Sequence, residues 1–345
     1  MTVESNAVNV GFLSYFVKAE DLAVLDPRFA ALSPVARSNL LERVHRHLAP
    51  RVVRRHRICS RQGVSITLCT IGLSATSDLI EQGIRRGESA WLRARVREGL
   101  EVGRAEGCTV AGLAGYLSIL TDNGLDVLTP GIGVTTGNSL TVAAAVTGIE
   151  SAAARLGMEL RAARVAIVGA AGNIASSVTD LLAPRVGALD LVGRFSGSPP
   201  LELAVQRLRR LGYDASSADM SALKRAQVVL SATSAPTPVI SAAHLGDATR
   251  IVCDVAVPGD VDSNLGRLRP DIQIIRGGVF ALPGCESDDF TLGNLPPGRA
   301  YACMTEAVVL GLDRHVGNYS VGPIVAEDAH HVMARARWHG MRLQS

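Results

Sequence analysis

The sequence predicts an α/β protein whose main element is a doubly wound, Rossmann-like parallel sheet, with an N-terminal α/β domain before it and helices after it. From residue 164 onward, short apolar segments alternate with segments of helical periodicity, which indicates strands joined by crossover helices. The predicted strands cover residues 164–168, 189–192, 227–231, 250–255 and 272–275. Their short, uninterrupted apolar character is typical of strands that are buried on both faces of a sheet.

A glycine turn follows the first of these strands. Gly169, Gly172 and Ala175 succeed each other at a spacing of three residues and lead into a helical pattern. This G-x-x-G-x-x-A spacing departs from the strict G-x-G-x-x-G, but it stands between a strand and a helix, as the fingerprint requires. The pattern favours a dinucleotide whose pyrophosphate meets the helix N-terminus, and a turn that binds nothing is the alternative. The predicted cofactor residues of this turn are Gly169, Ala171, Gly172, Asn173 and Ile174.

The residues after the later strands indicate which dinucleotide binds. The second predicted strand ends without the acidic residue that hydrogen-bonds the ribose 2′-hydroxyl of NAD. Arg194 and Ser196 stand there instead, and a guanidinium suits a 2′-phosphate, so we predict NADP(H). The alternative is that Arg194 is a solvated loop residue. Thr233, Ser234 and Val255 follow the carboxyl ends of later strands and are predicted to line the nicotinamide side.

The composition limits the classes of function. The chain has 345 residues, 47% of them hydrophobic and 19% charged, which indicates a globular protein of more than one domain. A net charge of +3 is too small to demand a nucleic-acid partner. We expect no membrane-spanning segment, no metal site and no secretion signal, because apolar runs are short and the six cysteines lack paired or metal-binding spacing. The expected location is therefore the cytoplasm.

The N-terminal part carries two arginine-rich faces. Basic residues cluster between positions 43 and 61 and again between 85 and 97, the second group on a helix that we expect to break at Gly87 and Gly99. Residues 64–71 read as a strand. A turn at residues 135–139 opens a long apolar helix over residues 140–156, and Thr136 or Asn138 suits its N-cap.

Cys303 is the candidate nucleophile. It follows the helix-starting cluster Pro296-Pro297-Gly298 and lies early in a helical pattern. A thiol in the first turn of a helix feels the positive end of the dipole, which favours the thiolate. The residues alone favour the opposite interpretation, that Cys303 packs as a small hydrophobic side chain.

Several motifs in fixed order resemble one family. They are Thr135-Thr136-Gly137-Asn138 before a long helix, the turn Gly169 to Ile174, Gly277-Gly278, Ala302-Cys303 with Glu306-Ala307, and Asn318-Tyr319-Ser320. Together they resemble the cyanobacterial long-chain acyl-[acyl-carrier-protein] reductases, over residues from about 9 to about 340. The Rossmann half is also similar to glutamyl-tRNA reductase and shikimate dehydrogenase. However, the N-terminal cysteine motif of glutamyl-tRNA reductases is absent here.

The resemblance implies a reaction and a role for each domain. Cys303 would accept the acyl group from a carrier thioester, and NADPH would reduce it to an aldehyde. The implied domains are an acyl-substrate and carrier-docking domain over residues 1–140, an NADP(H)-binding domain over 141–290, and a helical segment over 291–345 that carries the cysteine. His315 or Glu306 would handle a proton, and His315 stands one position from the family's histidine. Thr136 and Asn138 would contact an oxyanion or the nicotinamide.

The partners follow from the same implication. An acyl-carrier protein or acyl-CoA would deliver the substrate, and the arginine-rich faces suit an acidic carrier protein or are simply solvated. The resemblance also implies an aldehyde-consuming enzyme as a further partner. A catalytically silent NADP-binding module, and another dehydrogenase of the shikimate or glutamyl-tRNA reductase type, remain the alternatives.

Overall fold

The computed structural model describes residues 8–16, 22–25, 27–45, 47–285 and 295–344. The chain divides into two compact units. Unit 1 comprises the described residues of Met1–Leu140, Phe280–Pro323 and His331–Arg342. Unit 2 comprises those of Thr141–Val279, Ile324–His330 and Leu343–Ser345. The C-terminal segment, predicted as a part of its own, therefore contributes mainly to unit 1.

Fourteen strands are numbered in chain order among the described residues. They are β1 Val8–Phe16, β2 Arg51–Cys59, β3 Ser65–Thr76, β4 Cys108–Leu113, β5 Gly133–Thr135, β6 Arg164–Val168, β7 Ala188–Val192, β8 Ala215–Ala218, β9 Val228–Ser231, β10 Ile251–Asp254, β11 Gln273–Arg276, β12 Val279–Ala281, β13 Arg299–Tyr301 and β14 Arg342–Leu343.

Eleven α-helices are numbered in the same way within the described ranges. They are α1 Leu22–Leu25, α2 Pro34–Val44, α3 Ser77–Arg86, α4 Ala90–Ala105, α5 Tyr116–Leu120, α6 Asn138–Arg155, α7 Asn173–Leu182, α8 Pro199–Arg210, α9 Leu265–Leu268, α10 Ala302–Leu312 and α11 Ala326–Trp338. Within this described part of the chain, no helix is both long and apolar enough to cross a membrane.

Unit 1 is built on a five-stranded sheet in the order β2-β3-β1-β4-β5. The edge strand β2 runs antiparallel to β3, and the other pairings are parallel. Helix α4 packs on one face of this sheet. Gly99 lies inside that helix, where an added Cβ would be 3.0 Å from Leu13. The expected break at Gly99 is therefore wrong, because the glycine provides close packing, whereas Gly87 does end α3 in a left-handed conformation.

Helix α10 covers the other face of the unit 1 sheet. It approaches β1 so closely that a Cβ on Gly311 would lie 2.1 Å from Val10 Cγ2. At Gly112 of β4 an added Cβ would be 3.0 Å from Ala307. These contacts show that α10 runs against the strand direction, so its N-terminus lies at the carboxyl ends of the parallel strands.

Unit 2 contains a six-stranded sheet in the order β11-β10-β9-β6-β7-β8. All five pairings are parallel. Numbered from β6, this is the 3-2-1-4-5-6 order of the Rossmann fold, and the strand order reverses between β6 and β9. The α/β class and the doubly wound sheet are confirmed. The sequence interpretation missed β8, because its segment Ala-Ser-Ser-Ala lacks the apolar side chains used to find the other strands.

Candidate active site and cofactor site

Four parallel strands of unit 1 end at the same edge of the sheet. Tyr15 lies near the end of β1, Ser77 follows β3, Gly115 follows β4, and Thr135 ends β5. The carboxyl ends of parallel strands are where ligands bind in open α/β sheets. The N-terminus of α10 reaches this edge as well. The edge therefore collects side chains that are far apart in the sequence.

Cys303 is the second residue of α10, as the sequence predicted for a thiol in a first helical turn. The ten other residues of this helix are buried, whereas Cys303 keeps part of its surface exposed. The backbone N–H groups of Gly115 and Met304 hydrogen-bond to its sulfur and lower its pKa. An otherwise buried helix thus presents one nucleophilic side chain, with amide groups directed at it.

The pKa of the Cys303 thiol is nevertheless raised. Burial in the protein is the largest influence, and it outweighs the amide hydrogen bonds, so that the pKa rises to about 11. The nearby Glu306 carboxylate acts in the same direction. Burial thus opposes the thiolate that the helix N-terminus was expected to favour, and the predicted thiolate stays a prediction.

The segment of residues 135–140 lies against the cysteine. Gly137 has a φ of +73°, and an added Cβ would lie 2.1 Å from the Cα of Cys303. Helix α6 begins at Asn138, which places Gly137 at the position before the helix. The sequence identified Thr136 and Asn138 as candidates in this segment. The structure shows that the glycine between them makes the close approach.

Glu306 holds this segment in place. Its carboxylate accepts a hydrogen bond from the backbone N–H of Leu140 at 2.7 Å and another from the hydroxyl of Thr135. Ser320 and the backbone of Gly137 also interact with it and lower its pKa, but complete burial raises the pKa overall. These contacts fix the polypeptide beside Cys303, which gives Glu306 a structural role. The proton-carrier role suggested by the sequence stays a prediction.

Thr136 and Asn138 are both buried in unit 1. The Thr136 hydroxyl donates to the Ser320 carbonyl at 2.5 Å and lies 3.4 Å from the Asn138 N–H. Ser320 also accepts the Ser139 N–H through its hydroxyl at 3.2 Å. The predicted contact of Thr136 and Asn138 with an oxyanion or the nicotinamide stays a prediction, while their contribution to the loop is visible.

His315 is not brought to the cysteine. It follows the C-terminal end of α10, and the rise of 1.5 Å per residue separates Cys303 from Leu312 by about 14 Å. His315 packs edge-on against Tyr319 with ring centroids 5.5 Å apart. Both residues line a separate cavity of about 380 Å³ with His331 and Arg335. Direct proton transfer from His315 to a group on Cys303 is therefore contradicted by the geometry.

Tyr15 is a residue of this edge that sequence reasoning missed. Its hydroxyl accepts the backbone N–H of Tyr116 at 2.9 Å. An added Cβ on Gly115 would lie 2.5 Å from the same hydroxyl oxygen. The available signal was its position at the end of an apolar strand, but that strand was not recognised from the sequence.

The glycine turn of unit 2 has the geometry of a dinucleotide site. Gly169 has a φ of +79°, and an added Cβ would be 2.7 Å from the carbonyl oxygen of Ala232. The turns after β6 and β9 therefore touch at the point where the strand order reverses. Gly169 donates its N–H to Val192 at 2.9 Å, and the Gly172 N–H closes the turn onto Gly169 at 2.8 Å. Only glycine satisfies this conformation and this contact together.

Helix α7 opens directly from the turn. Its N-cap is Gly172, and among the described residues no side chain caps it. The first backbone N–H groups of a helix have no partner within the helix, so the N–H of Ile174 is directed out of the N-terminus of α7. Ala171 and Gly172 are exposed beside them. The cofactor residues predicted from the sequence thus form a cradle that fits a pyrophosphate.

Arg194 and Ser196 lie in the exposed loop after β7. Arg194 is exposed, and within the described residues it forms no ion pair with an acidic side chain. Phe195 between them is 72% exposed. The structure shows no acidic residue at the end of β7, which agrees with the sequence argument against a ribose-binding carboxylate.

Thr233 and Val255 lie just after β9 and β10, the two strands that follow the reversal point. The buried Asp260 accepts the Thr233 N–H at 2.9 Å and the Thr233 hydroxyl at 2.6 Å. Asp254 accepts the N–H groups of Ala256 and Asp260, each at 3.1 Å. These carboxylates fix the loops in which Thr233, Ser234 and Val255 were predicted to line the nicotinamide side.

A comparison with known protein families supports the Rossmann fold of unit 2. Residues 150–275 match the family model described as Shikimate / quinate 5-dehydrogenase. This segment contains the glycine turn and most of the six-stranded sheet. Together with the strand order, the match marks unit 2 as a Rossmann unit that binds a nicotinamide dinucleotide.

Two curated relatives extend beyond this segment. The aminotransferase PigE of Serratia sp. (strain ATCC 39006) is 30% identical over 240 residues, which are 68% of this chain and 28% of that protein. The long-chain acyl-[acyl-carrier-protein] reductase of Synechococcus elongatus is 26% identical over 246 residues, 66% of this chain and 69% of that protein. The chain thus matches less than a third of the first relative's length.

Solved structures are similar at a lower level. The alignment with shikimate 5-dehydrogenase from Listeria monocytogenes covers 96% of this chain and 98% of that protein. The sequence identity is 11% and the TM-score is 0.41. A TM-score this low does not support an argument about the fold. The fold is assigned from the strand order of this chain instead. The class that emerges is a Rossmann-type oxidoreductase with a nicotinamide dinucleotide site in unit 2.

Proposed function

We propose that this protein reduces an acyl thioester to an aldehyde with NADPH, through an acyl-enzyme on Cys303. The observation that carries the proposal is the environment of the thiol: the one partly exposed residue of α10, at the carboxyl edge of the unit 1 sheet, with the N–H groups of Gly115 and Met304 directed at its sulfur. A buried structural cysteine needs neither the exposed surface nor these amides.

Cys303 would act by exchanging one thioester for another. Its thiolate attacks the carbonyl carbon of the incoming acyl group, the carrier thiol leaves, and the acyl group stays on the sulfur. The amides of Gly115 and Met304 stabilise the thiolate during this step. The segment around Gly137, held by Glu306, packs against the Cys303 backbone and keeps the sulfur in place. NADPH, when bound, supplies the hydride that converts the acyl group to an aldehyde.

The residues of unit 2 favour NADPH over NADH. A pyrophosphate fits the uncapped N-terminus of α7. The exposed Arg194 supplies a planar cation without an acidic partner among the described residues, and Ser196 supplies a hydroxyl, where an adenosine 2′-phosphate would lie.

One of the two curated relatives supports reduction of an acyl substrate, and the other supports a partner that consumes a carbonyl product. One is named a reductase of acyl-[acyl-carrier-protein]. The other is named an aminotransferase, and the match covers only 28% of it, so a similar segment occurs there inside a longer protein. Transamination converts the carbonyl group of an aldehyde or ketone to an amine, so an aldehyde formed on Cys303 would be a suitable substrate for it. An aldehyde-consuming partner enzyme is therefore part of the proposal.

The edge strand β2 is the proposed docking surface for an acidic carrier. Arg51, Arg55 and Arg57 are exposed on it, whereas Arg46 lies outside the described residues. Arg55 is engaged with Glu106 at 2.6 Å, so its charge is partly neutralised. We expect the double reversal of Arg51 and Arg57 to glutamate to weaken carrier binding at low salt. The coupled Arg85→Glu and Arg86→Glu variant tests the second basic face, and unchanged binding in both variants would reject carrier docking at these surfaces.

Intact-mass analysis tests the reaction itself. The wild-type protein is incubated with acyl-carrier protein or acyl-CoA of several chain lengths, first without and then with NADPH. We expect an acyl adduct that maps to Cys303, disappears on addition of NADPH and does not form in Cys303→Ser. An adduct that is absent from the wild type, or unchanged in Cys303→Ser, contradicts the proposal and favours a silent NADP-binding module.

A further inference from the structure

The edge of unit 1 that carries Cys303 contains a second polar group with no role so far. The hydroxyl of Tyr15 and the sulfur of Cys303 receive hydrogen bonds from consecutive amides, Tyr116 to the hydroxyl and Gly115 to the sulfur. This arrangement brings the two groups to neighbouring positions. The Cys303 charge also acts on Tyr15 directly and raises the pKa of the phenol.

The local structure directs the phenol toward this position. Gly115 has a φ of +40°, and its missing side chain makes room for the Tyr15 oxygen, which lies 2.5 Å from where a Cβ would be. The Tyr116 N–H occupies one lone pair of that oxygen, which leaves the O–H proton free to be donated. Burial is the main cause that raises the pKa of Tyr15, so the hydroxyl keeps its proton at neutral pH.

The groups around the Cys303 sulfur include hydroxyls that could donate a hydrogen bond to the carbonyl oxygen of a substrate. The Ser77 hydroxyl is buried on the same edge, acts on Tyr15 and lowers its pKa, but within the described residues it makes no hydrogen bond of normal geometry. Tyr15 and Cys303 both retain exposed surface, in contrast to Ser77, which is 4% exposed. A carbonyl oxygen that enters beside the sulfur would meet donors rather than apolar side chains.

We infer that Tyr15 is a catalytic residue that stabilises the oxyanion formed when Cys303 attacks an acyl thioester. In this step the new C–S bond forms, the carbonyl π electrons move to oxygen, and the oxyanion accepts the Tyr15 O–H hydrogen bond. Collapse restores the carbonyl and breaks the bond to the carrier sulfur. The proton lost by the Cys303 thiol ends on the departing carrier thiolate, so neither reductant nor oxidant is needed.

This inference rests on the proposed acyl-enzyme, and it makes a separate prediction about the rate of thioester exchange. This exchange requires no cofactor, so it can be measured without NADPH. An oxyanion donor accelerates attack on a carbonyl group, but it does not accelerate displacement at a saturated carbon, where no oxyanion forms. The ratio of these two rates at the same sulfur therefore isolates the contribution of Tyr15.

The experiment compares acylation and alkylation of Cys303 in Tyr15→Phe. Octanoyl-CoA serves as the acyl donor and iodoacetamide as the alkylating reagent, both without NADPH, and peptide mapping quantifies modified Cys303. We expect acylation to fall about 100-fold, the effect typical of losing one oxyanion donor, while alkylation changes less than about threefold. Tyr213→Phe, the same change in unit 2, should leave both rates unchanged.

Three outcomes overturn the inference or its basis, and they are distinguishable. Equal acylation by Tyr15→Phe and wild type removes Tyr15 from the reaction while leaving the acyl-enzyme intact. A parallel loss of alkylation shows that the phenol acts on the thiol and not on an oxyanion. Absence of acylation in the wild type overturns the proposed function itself. Should Tyr15→Phe fail to fold, Tyr15→Leu removes the same hydroxyl and carries the same expectation.

Discussion

Gly137 lies directly on the backbone of Cys303, so close that a methyl group on the glycine would be 2.1 Å from the cysteine Cα. The glycine also has a φ of +73°, which disfavours any other residue. The nucleophile is therefore enclosed by polypeptide that leaves no space for a side chain. Acyl transfer at this site depends on that segment keeping its position.

Gly137→Ala should disrupt both the fold and the site. The clash is with backbone atoms, which no rotamer change relieves, and it adds to the strain of a positive φ. We expect a loss of about 3 kcal/mol in the free energy of unfolding, measured with urea. Gly157→Ala is the control, because Gly157 has a φ of +62° with open space around it and should lose only about 1 to 2 kcal/mol. Equal losses in the two variants would show that the contact with Cys303 does not matter.

The reactivity of Cys303 should depend strongly on pH. Burial raises its pKa to about 11, so only a small fraction is thiolate at neutral pH, and the fraction grows with each increase in pH below that value. We expect the rate of alkylation by iodoacetamide to rise about tenfold per pH unit between pH 7 and pH 9. Peptide mapping follows Cys303, with the exposed Cys59 as an internal reference. A plateau between pH 7 and pH 8 would contradict a raised pKa of the Cys303 thiol.

Substitutions of Glu306 should separate packing from charge. Glu306→Ala leaves the Leu140 N–H and the Thr135 hydroxyl without an acceptor and should cost about 3 kcal/mol in the free energy of unfolding. Glu306→Gln keeps one acceptor and should cost less.

Burial raises the pKa of the Glu306 carboxyl, so the folded protein holds its proton more tightly than the unfolded chain. The wild type should therefore lose stability relative to Glu306→Gln as the pH rises above the ordinary carboxyl pKa. A stability difference that is independent of pH would contradict this assignment.

The cofactor preference should depend on Arg194. We expect Arg194→Glu to raise the KM for NADPH roughly 10- to 100-fold, because a charged hydrogen bond to the 2′-phosphate is replaced by repulsion. The KM for NADH should change little. Arg210→Glu makes the same change of charge at an exposed position at the end of α8, and it controls for net charge. Equal effects on the two cofactors would remove Arg194 from 2′-phosphate recognition.

The local parts of both sites were readable from the sequence. The turn from Gly169 to Ile174 and the position of Cys303 in the first turn of a helix depend on neighbours in the chain, and nearby residues carry those signals. The sheet of unit 1 was harder to predict. Only one of its strands was recognised, and the arginine-rich β2 does not show the apolar alternation of a buried strand.

The sequence by itself determined that a Rossmann unit holds a glycine turn without an acidic ribose ligand, and that a cysteine opens a later helix. Tertiary structure decided what surrounds that cysteine. Glu306 reaches Thr135 across 171 positions of the chain. Tyr15, near the end of a strand, and Cys303, in the first turn of a helix, come to the same edge of the sheet, where the Cys303 charge acts on Tyr15. Contacts between residues so far apart in the sequence, and the burial that raises the pKa of the Cys303 thiol, arise only when the whole unit packs. Periodicity and motif spacing carry information only about residues that are close in the sequence.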